Sequence, residues 1–261
     1  MRELGKQTDT NILKEQFVPD HVFLYIIKGS LRFFDGNKSQ TFKAGECGIA
    51  RKNSLAKFEL LGSEKEFQPI VFCFDAPFLQ AFQLKHQIIN SAAKNTDSII
   101  KIRRTGLMNK FIRSLQPYQK GFMQLDEAFE DLKYEELLII LLKNNPELSC
   151  LLFEFGMPEK INLEAFMNLN YTFNVNLKRF AFLTGRSLSA FKRDFKQIFN
   201  ETPGHWLIKK RLGEAYFHLA EKNLRPSDIY LDLGFESLSH FCVAFKKQYG
   251  FTPSELIKQN L

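Results

Sequence analysis

The sequence predicts an α+β protein with a β-rich N-terminal half and an all-α C-terminal part. Three observations predict this fold class. Short apolar runs separated by turn residues occupy about 20–75, patterns of helical period follow from residue 76, and one motif near the C-terminus occurs twice. With 261 residues, the chain is long enough for two domains with separate cores.

The first part of the chain, about 20–75, is predicted to form short strands. The apolar runs 22–27 and 31–34 are separated by Lys28-Gly29-Ser30, and Asp35-Gly36-Asn37 follows the second run. One strand pair closed by a glycine-containing turn and a second pair closed by Asp-Gly-Asn indicate a β-meander. The pattern continues in three further runs, 41–46, 56–61 and 70–74.

The next segment, about 76–155, is predicted to be helical. Its most apolar stretch is the run 137–142, and Asn144-Asn145-Pro146 ends the pattern. Six apolar residues are far short of a membrane span, so a helix buried in the core or at a dimer interface explains them. We expect one domain over 1–155 and a second over 158–261, because glycine and proline interrupt both helical patterns at the junction.

A motif near the C-terminus is repeated after fifty residues without a gap. Residues 187–191 read Ser-Leu-Ser-Ala-Phe, and residues 237–241 read Ser-Leu-Ser-His-Phe. Downstream, Phe195-Lys196 recurs as Phe245-Lys246, and Thr202-Pro203 recurs as Thr252-Pro253. A copy this short is not a domain, and such a period is typical of a repeated supersecondary unit.

The first copy predicts a helix-turn-helix unit. Ser187 is a good helix N-cap, and apolar residues follow it on one helical face, opposite small and cationic residues. This inner face contains Leu188, Phe191, Phe195, Ile198 and Phe199. Upstream, 177–183 predicts a short helix that ends at Thr184-Gly185-Arg186. The second helix of such a pair can lie in the DNA major groove.

The second copy predicts the same unit, with a helix from Pro226 to Gly234 and a second helix capped by Ser237. Between the copies, a helix from Pro203 to about Lys222 would be roughly 28 Å long at 1.5 Å per residue. Recognition helices in successive major-groove turns lie about 34 Å apart, so a rigid connector of this length suits DNA. Two helical hairpins in an all-α core are the alternative, but a scaffold has no need to repeat the cationic face.

Residues 162–261 resemble the AraC/XylS family of bacterial transcription regulators. The most specific stretch is 228–241, which reads Asp-Ile-Tyr-Leu-Asp-Leu-Gly-Phe-Glu-Ser-Leu-Ser-His-Phe. The resemblance implies about seven helices, in which two helix-turn-helix units bind adjacent major grooves of promoter DNA. Val243 stands where many members have a cation, and Tyr230 where many have alanine. The second unit is therefore expected to read fewer bases than the first.

Carried over by position, the resemblance implies DNA-binding residues on both recognition helices. These are Ser189, Ala190, Lys192, Arg193 and Lys196 on the first helix, and Ser239, His240, Cys242, Val243, Lys246 and Lys247 on the second. Arg193 is the strongest candidate for base readout, because arginine bonds bidentately to guanine. Lys196 is expected to contact phosphate. Residues 158–261 hold 15 Lys and Arg against 10 Asp and Glu, which agrees with binding to DNA.

The N-terminal part resembles, through Gly29 and Ala44-Gly45-Glu46, the cupin-type small β-barrel that precedes the DNA-binding part in many AraC/XylS regulators. Many cupins hold a metal on several His or carboxylate ligands. The stretch has one histidine, His21, which is expected at the surface or in a turn. We therefore expect no metal, no other cofactor and no enzyme activity. The mouths of small barrels also bind effectors. The candidate residues for such a pocket are Phe23, Tyr25, Phe33, Phe58 and Phe72. The alternative is that these aromatic side chains simply pack the core.

The sequence therefore predicts a sequence-specific DNA-binding transcription regulator, an activator that works with promoter DNA and RNA polymerase. Its N-terminal domain would sense a small-molecule or protein effector or mediate homodimerisation. Residues 1–20 lack the apolar core of a signal peptide, and the four cysteines form no CxxC pair. These features predict a cytoplasmic bacterial protein with no membrane partner. Two alternatives remain, a cupin-type metal-dependent enzyme fused to a helical domain and a helical protein-interaction scaffold.

Overall fold

The computed structural model describes residues 16–89, 97–118, 127–222 and 224–259. The chain divides into two compact units, Met1–Gly156 and Met157–Leu261. In the described residues, the first unit contains nine strands and four α-helices, and the second contains seven α-helices. The predicted fold class, a β-rich N-terminal part followed by an all-α part, is confirmed.

The strands of the first unit lie almost entirely within its first 60 described residues. They are β1 (Phe17–Val18), β2 (His21–Lys28), β3 (Ser30–Phe34), β4 (Ser39–Lys43), β5 (Cys47–Ala50), β6 (Ser54–Leu55), β7 (Lys57–Leu60), β8 (Gln68–Phe74) and β9 (Ile99–Ile102). The helices are α1 (Ala76–His86), α2 (Gly106–Ser114), α3 (Glu127–Asn144) and α4 (Leu148–Leu152), with 3-10 turns at Glu64–Glu66 and Gln116–Tyr118. The parts of the predicted helical segment at 90–96 and 119–126, and the start at 1–15, lie outside the described residues.

The described strands pair in three separate sheets, so the cupin-type barrel is not closed. A four-stranded sheet has the order β8-β2-β5-β9, a three-stranded sheet has the order β4-β3-β7, and β1 pairs with β6. All pairings are antiparallel. The predicted hairpin across Asp35-Gly36-Asn37 is confirmed by the pairing of Phe34 with Ser39.

The predicted pairing of the first two strand runs is wrong, because β2 and β3 belong to different sheets. The chain changes direction at Gly29, whose φ of 86° lies in the left-handed region. A Cβ at this position would lie 3.1 Å from the ring of Phe67 and 3.3 Å from its backbone. Gly29 therefore directs the chain from one sheet to the next instead of closing a two-stranded hairpin.

Strand β2 explains how the layers of the first unit stack. Its side chains alternate between the two faces of the four-stranded sheet, as period-two geometry requires. Phe23 and Tyr25 belong to the core formed with helices α1–α4. Leu24 and Ile26 belong to the core formed with the three-stranded sheet. Both faces of this central strand are therefore buried, between a second sheet on one side and helices on the other.

In the segment predicted to be helical, one detail differs from the prediction and one agrees with it. Ile99–Ile102 lies in the segment predicted to be helical, but it forms the edge strand β9, which pairs with β5 from Ile99↔Ala50 to Ile102↔Cys47. Its three isoleucines favour a strand because their β-branched side chains suit a pleated surface. The apolar run 137–142 lies in α3, where Leu137, Leu138, Ile140 and Leu141 are buried in the core of this unit.

The second unit is helical throughout its described part. Its helices are α5 (Leu163–Asn170), α6 (Leu177–Leu183), α7 (Leu188–Phe199), α8 (Pro203–Glu221), α9 (Pro226–Ile229), α10 (Leu238–Tyr249) and α11 (Pro253–Gln259). The seven helices agree with the number that the family resemblance implies. Within the described ranges, no helix has the length and apolar character needed to cross a lipid bilayer.

Candidate nucleic-acid interface

The first helix-turn-helix consists of α6, the turn Thr184-Gly185-Arg186 and α7. Side chains cap both helices at their N-termini, because Asn176 accepts from the amide of Arg179 and Ser187 accepts from the amide of Ala190 at 3.2 Å. These caps satisfy amides that have no partner within the helix. The sequence prediction of this unit therefore matches its observed elements.

The turn between α6 and α7 is closed by a buried threonine and a glycine. The hydroxyl of Thr184 donates to the carbonyls of the preceding turn, 2.9 Å from Phe180 O and 3.0 Å from Ala181 O. Gly185 has a φ of 65°, and a Cβ there would lie 2.5 Å from the carbonyl oxygen of Glu159. Only glycine fits at this point, because the segment before α5 crosses the turn at backbone contact distance.

Helix α7 buries one face and exposes the face predicted to bind DNA. Phe191 and Phe195 are fully buried, and Trp206 packs edge-on against Phe195 and at a tilt against Phe199, with ring centroids 5.6 and 4.7 Å away. On the opposite face, Ser189, Lys192, Arg193 and Lys196 are exposed and Ala190 is half-buried. The structure thus places the five predicted residues of the first unit on one accessible helical face.

The second unit has the same construction around α10. Ser237 accepts from the amide of His240 at 3.2 Å, and Phe241 and Phe245 are fully buried at the positions equivalent to Phe191 and Phe195. The predicted DNA-binding residues again share the outer face: Ser239, His240, Val243, Lys246 and Lys247 are exposed, and Cys242 is half-buried.

The first helix of the second unit is shorter than predicted. Regular α-helix ends at Ile229, and turns continue the chain to Gly234, which has a φ of 85°. The amide of Leu233 still donates to Ile229 O, and the amide of Phe235 donates to Tyr230 O. Tyr230 packs against the core of the unit. The segment therefore ends at Gly234, as predicted, although its second half consists of turns and not of regular α-helix.

The connecting helix α8 spans 19 residues, which at 1.5 Å per residue gives a length of about 28 Å. It contacts both α7 and α10. Its buried face includes Leu212, Ala215 and Leu219 together with one charged residue, Arg211. One helix thus forms part of the packing surface for both recognition helices.

Arg211 is a buried charged residue whose role in positioning the helix-turn-helix units has no local sequence signal. Its guanidinium donates to three carbonyls, Nε to Tyr171 O at 2.7 Å, Nη1 to Gly234 O at 2.7 Å and Nη2 to Phe173 O at 2.9 Å. Burial lowers the pKa of Arg211 to about 10, so it remains charged at neutral pH. It ties the loop before α6 to the turn before α10. No sequence signal marks this role, because arginine on a helix is usually exposed.

The exposed cations of the interface differ in their surroundings. Among the described residues, no carboxylate lies within 4 Å of the ammonium groups of Lys192, Lys196 or Lys247. Arg193 instead pairs with Asp194, its neighbour on α7, at 3.0 Å. Hydrogen bonds from Arg193 and then from Arg186 hold the pKa of the Asp194 carboxyl below its usual value. The three lysines are therefore available to phosphates, while Arg193 is held by a neighbour.

The five candidate pocket residues are not brought together by the fold. Phe23, Tyr25 and Phe72 lie in the core between the four-stranded sheet and the helices. Phe33 and Phe58 lie in the core between the two sheets, with ring centroids 5.4 Å apart. Because the four-stranded sheet lies between the two groups, they do not line a common cavity. This arrangement favours the alternative of core packing at these positions.

His21 is not at the surface, contrary to the expectation from sequence. Its side chain is fully buried at the start of β2, and Nδ1 accepts a hydrogen bond from the amide of Lys52 at 3.3 Å. Burial, followed by the positive charges of Lys52 and Arg51, lowers the pKa of His21 to about 3. The histidine is buried because the chain segments of β2, the β5–β6 turn and α4 cover it, which a local pattern does not reveal. Within the described ranges, no group of three or more His, Cys, Asp or Glu could hold a metal ion.

Comparison with known proteins assigns both units. A family model described as the ExsA N-terminal regulatory domain matches residues 21–151, and one described as a helix-turn-helix domain matches residues 180–259. The virulence regulon transcriptional activator VirF of Yersinia enterocolitica is 32% identical over 240 residues, which cover 89% of this chain and 87% of the relative. The HTH-type transcriptional regulator ExsA of Pseudomonas aeruginosa is 24% identical over 235 residues, which cover 88% of this chain and 83% of the relative. The chain therefore belongs to the AraC/XylS family of DNA-binding transcription regulators.

Proposed function

We propose that this regulator activates transcription by placing α7 and α10 in adjacent major grooves of its promoters. The observation that carries the proposal is the repeated recognition helix, each of 12 residues, capped by serine and exposing its polar face. The proposal of activation draws on the similar VirF, whose name describes a transcriptional activator. RNA polymerase is the partner that activation requires. Because promoter DNA lies in the bacterial cytoplasm, the protein is proposed to act there.

The two helices are proposed to contribute differently. On α7, Arg193 would read a guanine, and Ser189, Ala190 and Lys192 would face bases or the groove edge, with Lys196 on a phosphate. On α10, the equivalent positions carry Ser239, His240, Cys242 and Val243, so no arginine or lysine is available there to read guanine. Lys246 and Lys247 would contact phosphates. This division predicts stronger selectivity in the half-site bound by α7.

A matched pair of substitutions tests this proposal. Arg193→Ala is expected to cost about 1–3 kcal/mol of binding to the preferred site and to relax selectivity at one base pair. Lys246→Ala is expected to weaken binding to every sequence and to reduce the slope of log affinity against log salt by about one unit. Quantitative competition binding at several salt concentrations measures both. If Arg193→Ala leaves all DNA affinities unchanged, Arg193 reads no base and the proposed readout by α7 is contradicted.

The N-terminal unit is proposed to mediate homodimerisation through α3. Leu132 and Ile139 lie seven residues apart on one face of this helix and are 63% and 44% exposed. A second copy of the chain would cover these two exposed apolar side chains. Sedimentation of the full chain should show a dimer that Leu132→Glu with Ile139→Glu converts to a monomer. A strict monomer for the unchanged chain at high concentration, with and without DNA, would remove the dimer.

An effector response is the second proposed role of the N-terminal unit. The match to a regulatory-domain model over residues 21–151 supports regulation by this unit. Because the five aromatic candidates fill two separate cores, a small molecule would have to bind outside them or displace them. A thermal-shift screen of metabolites tests this. Stabilisation by one compound identifies a small-molecule effector, whereas no shift with any compound counts against a small-molecule pocket.

A further inference from the structure

A single carboxylate on the first recognition helix is shared by three cations. Asp194 accepts from Arg193 through Oδ1 and from Arg186 through Oδ2, and the ammonium of Lys160 lies 3.6 Å from Oδ2. Asp194 is 15% exposed, whereas Arg193 is 69% exposed. The carboxylate of Asp194 is therefore largely buried, whereas the guanidinium of Arg193 that it binds is exposed on the face proposed to contact DNA.

Arg186 fixes the orientation of this carboxylate. Its side chain is only 7% exposed, and its Nη1 donates to Thr184 O at 2.7 Å and to Ile161 O at 3.0 Å. Its Nε donates to Asp194 Oδ2 at 3.1 Å. With Nη1 held by two backbone carbonyls, Arg186 has little rotational freedom. The position of Asp194 is thus set by the turn of the helix-turn-helix unit itself.

Asp194 in turn occupies one edge of the Arg193 guanidinium. Both Nε and Nη2 donate to Asp194 Oδ1, at 3.2 and 3.0 Å. A guanidinium has five N–H donors in a planar fork. The edge formed by Nη1 and the second hydrogen of Nη2 has no partner among the described residues. This is an edge that can donate two parallel hydrogen bonds to O6 and N7 of guanine.

We propose that Asp194 is a positioning residue that holds Arg193 in the orientation for reading guanine. This inference rests on the proposed function of α7 as a base-reading helix. The carboxylate already restricts the rotamers of Arg193 in the free protein, so Arg193 loses less conformational entropy when it binds DNA. More of the energy of the bidentate hydrogen bonds then contributes to selectivity. Its negative charge also opposes the phosphates. Asp194 therefore increases selectivity and lowers affinity for DNA in general.

The second unit lacks the carboxylate and both arginines of this arrangement. At the equivalent positions, fifty residues later, Val243 replaces Arg193, Ala244 replaces Asp194 and Glu236 replaces Arg186. A carboxylate that served only to stabilise the helix-turn-helix fold would be useful in both copies. Its presence only beside the arginine that faces DNA is consistent with a role in readout.

The test is a double-mutant cycle in the full-length chain with Asp194→Asn, Arg193→Ala and both together. The measured quantity is the ratio of affinities for the preferred site and for the site changed at the base pair that Arg193 reads. This ratio is taken on one protein preparation, so a partly unfolded variant affects both affinities equally and the ratio remains valid. Lys160→Met is the control, because it removes a cation near Asp194 without touching Arg193.

Arg193→Ala should lower the ratio by about 5- to 150-fold, the value of a bidentate pair. Asp194→Asn should lower it by about 3- to 10-fold, as a partial loss of the same pair. It should leave affinity for unrelated DNA unchanged or higher, and it should have no further effect on the ratio in the Arg193→Ala background. Lys160→Met should leave the ratio unchanged.

The inference is overturned if Asp194→Asn leaves the ratio unchanged, including the case in which it lowers affinity for all DNA equally, which is the pattern of a purely structural role. If Arg193→Ala itself leaves the ratio unchanged, the proposed base readout by α7 fails, and with it the positioning role. If Arg193→Ala lowers the ratio and Asp194→Asn does not, only the positioning role fails.

Discussion

Arg211 illustrates how one buried side chain links parts of the DNA-binding unit that are far apart in sequence. It lies on α8 and joins Tyr171 and Phe173, before α6, to Gly234, before α10. Gly234 leaves room for it, because a Cβ there would lie 2.9 Å from the guanidinium carbon. The approach of both segments to α8 therefore depends on this arginine.

Removing the Arg211 guanidinium should strongly destabilise the folded chain. Arg211→Met retains the apolar stem but leaves three carbonyls without their donor, so we expect a loss of about 3–5 kcal/mol in the free energy of unfolding. Urea denaturation of the full chain measures it. Lys209→Met is the control on the same helix, since Lys209 makes an exposed ion pair with Glu201 and should contribute less than about 1 kcal/mol. Equal stability of the two variants would show that Arg211 has no such role.

His21 predicts a pH dependence of stability. Its pKa in the folded chain is about 3, below the 6.5 of an unfolded histidine. Below pH 6.5 the unfolded chain therefore binds a proton that the folded chain does not, and stability falls by up to about 1.4 kcal/mol for each pH unit down to pH 3. Above pH 6.5 this contribution is fully present.

The neutral variant His21→Leu should remove this part of the pH dependence. Urea unfolding of both proteins at several pH values from 7 to 4 measures the difference between their slopes. Parallel slopes for the two proteins would show that His21 is protonated in the folded chain.

Single residues show where local sequence patterns succeed. The exposure of Ser189, Lys192 and Arg193 follows from helical periodicity, because each is offset from the buried Phe191 and Phe195. The burial of His21 and the ion pair between Arg186 and Asp194 did not follow from any local pattern. They depend on contacts between segments that meet only in the folded chain. Arg193 and Asp194 are adjacent in sequence, which is the one available signal for their pairing.

Among the elements, those with strong local signals were predictable. Serine caps and apolar spacing predicted α7 and α10, and Pro203 marked the start of α8. Strand β5, Cys47–Ala50, was not predicted, because all four of its residues are buried and it shows no alternation. The edge strand β9 was also missed, because its three isoleucines favour a strand but a run of four residues is too short to stand out from the helical patterns around it.

The turn of the first helix-turn-helix gives a prediction about one element. Gly185→Ala should destabilise the chain by more than about 1–2 kcal/mol, because φ is positive and the new Cβ would meet the backbone of Glu159 and Lys160. Gly213→Ala is the matched control. Gly213 lies exposed inside α8 with no atom within 4 Å of the added Cβ, so it should stabilise the chain by about 0.5–1 kcal/mol.

Thermal or urea unfolding of the two glycine variants distinguishes the two effects. Opposite signs are expected for the two substitutions. A neutral Gly185→Ala would mean that the segment before α5 does not pack against the turn as the structure shows.

At the scale of the whole molecule, the DNA-binding unit is symmetric in construction and asymmetric in chemistry. Both recognition helices bury equivalent phenylalanines and begin at a capping serine, and α8 contacts both. Only the first carries an arginine supported by a carboxylate, while the second carries Val243 at that position. The repeat in sequence predicted the symmetry, and the substitutions between its copies predicted the direction of the asymmetry.

The central claim is that α8 holds two recognition helices at the spacing of successive major-groove turns. Selection of bound sequences from a random DNA pool with the full-length chain tests it most directly. The selected sequences should contain two conserved elements whose centres are about 10–10.5 base pairs apart. One element should be more constrained than the other, and the preference for guanine at one of its positions should disappear when the selection is repeated with Arg193→Ala. A single conserved element, two elements at variable spacing, or no enrichment above nonspecific binding would contradict the claim.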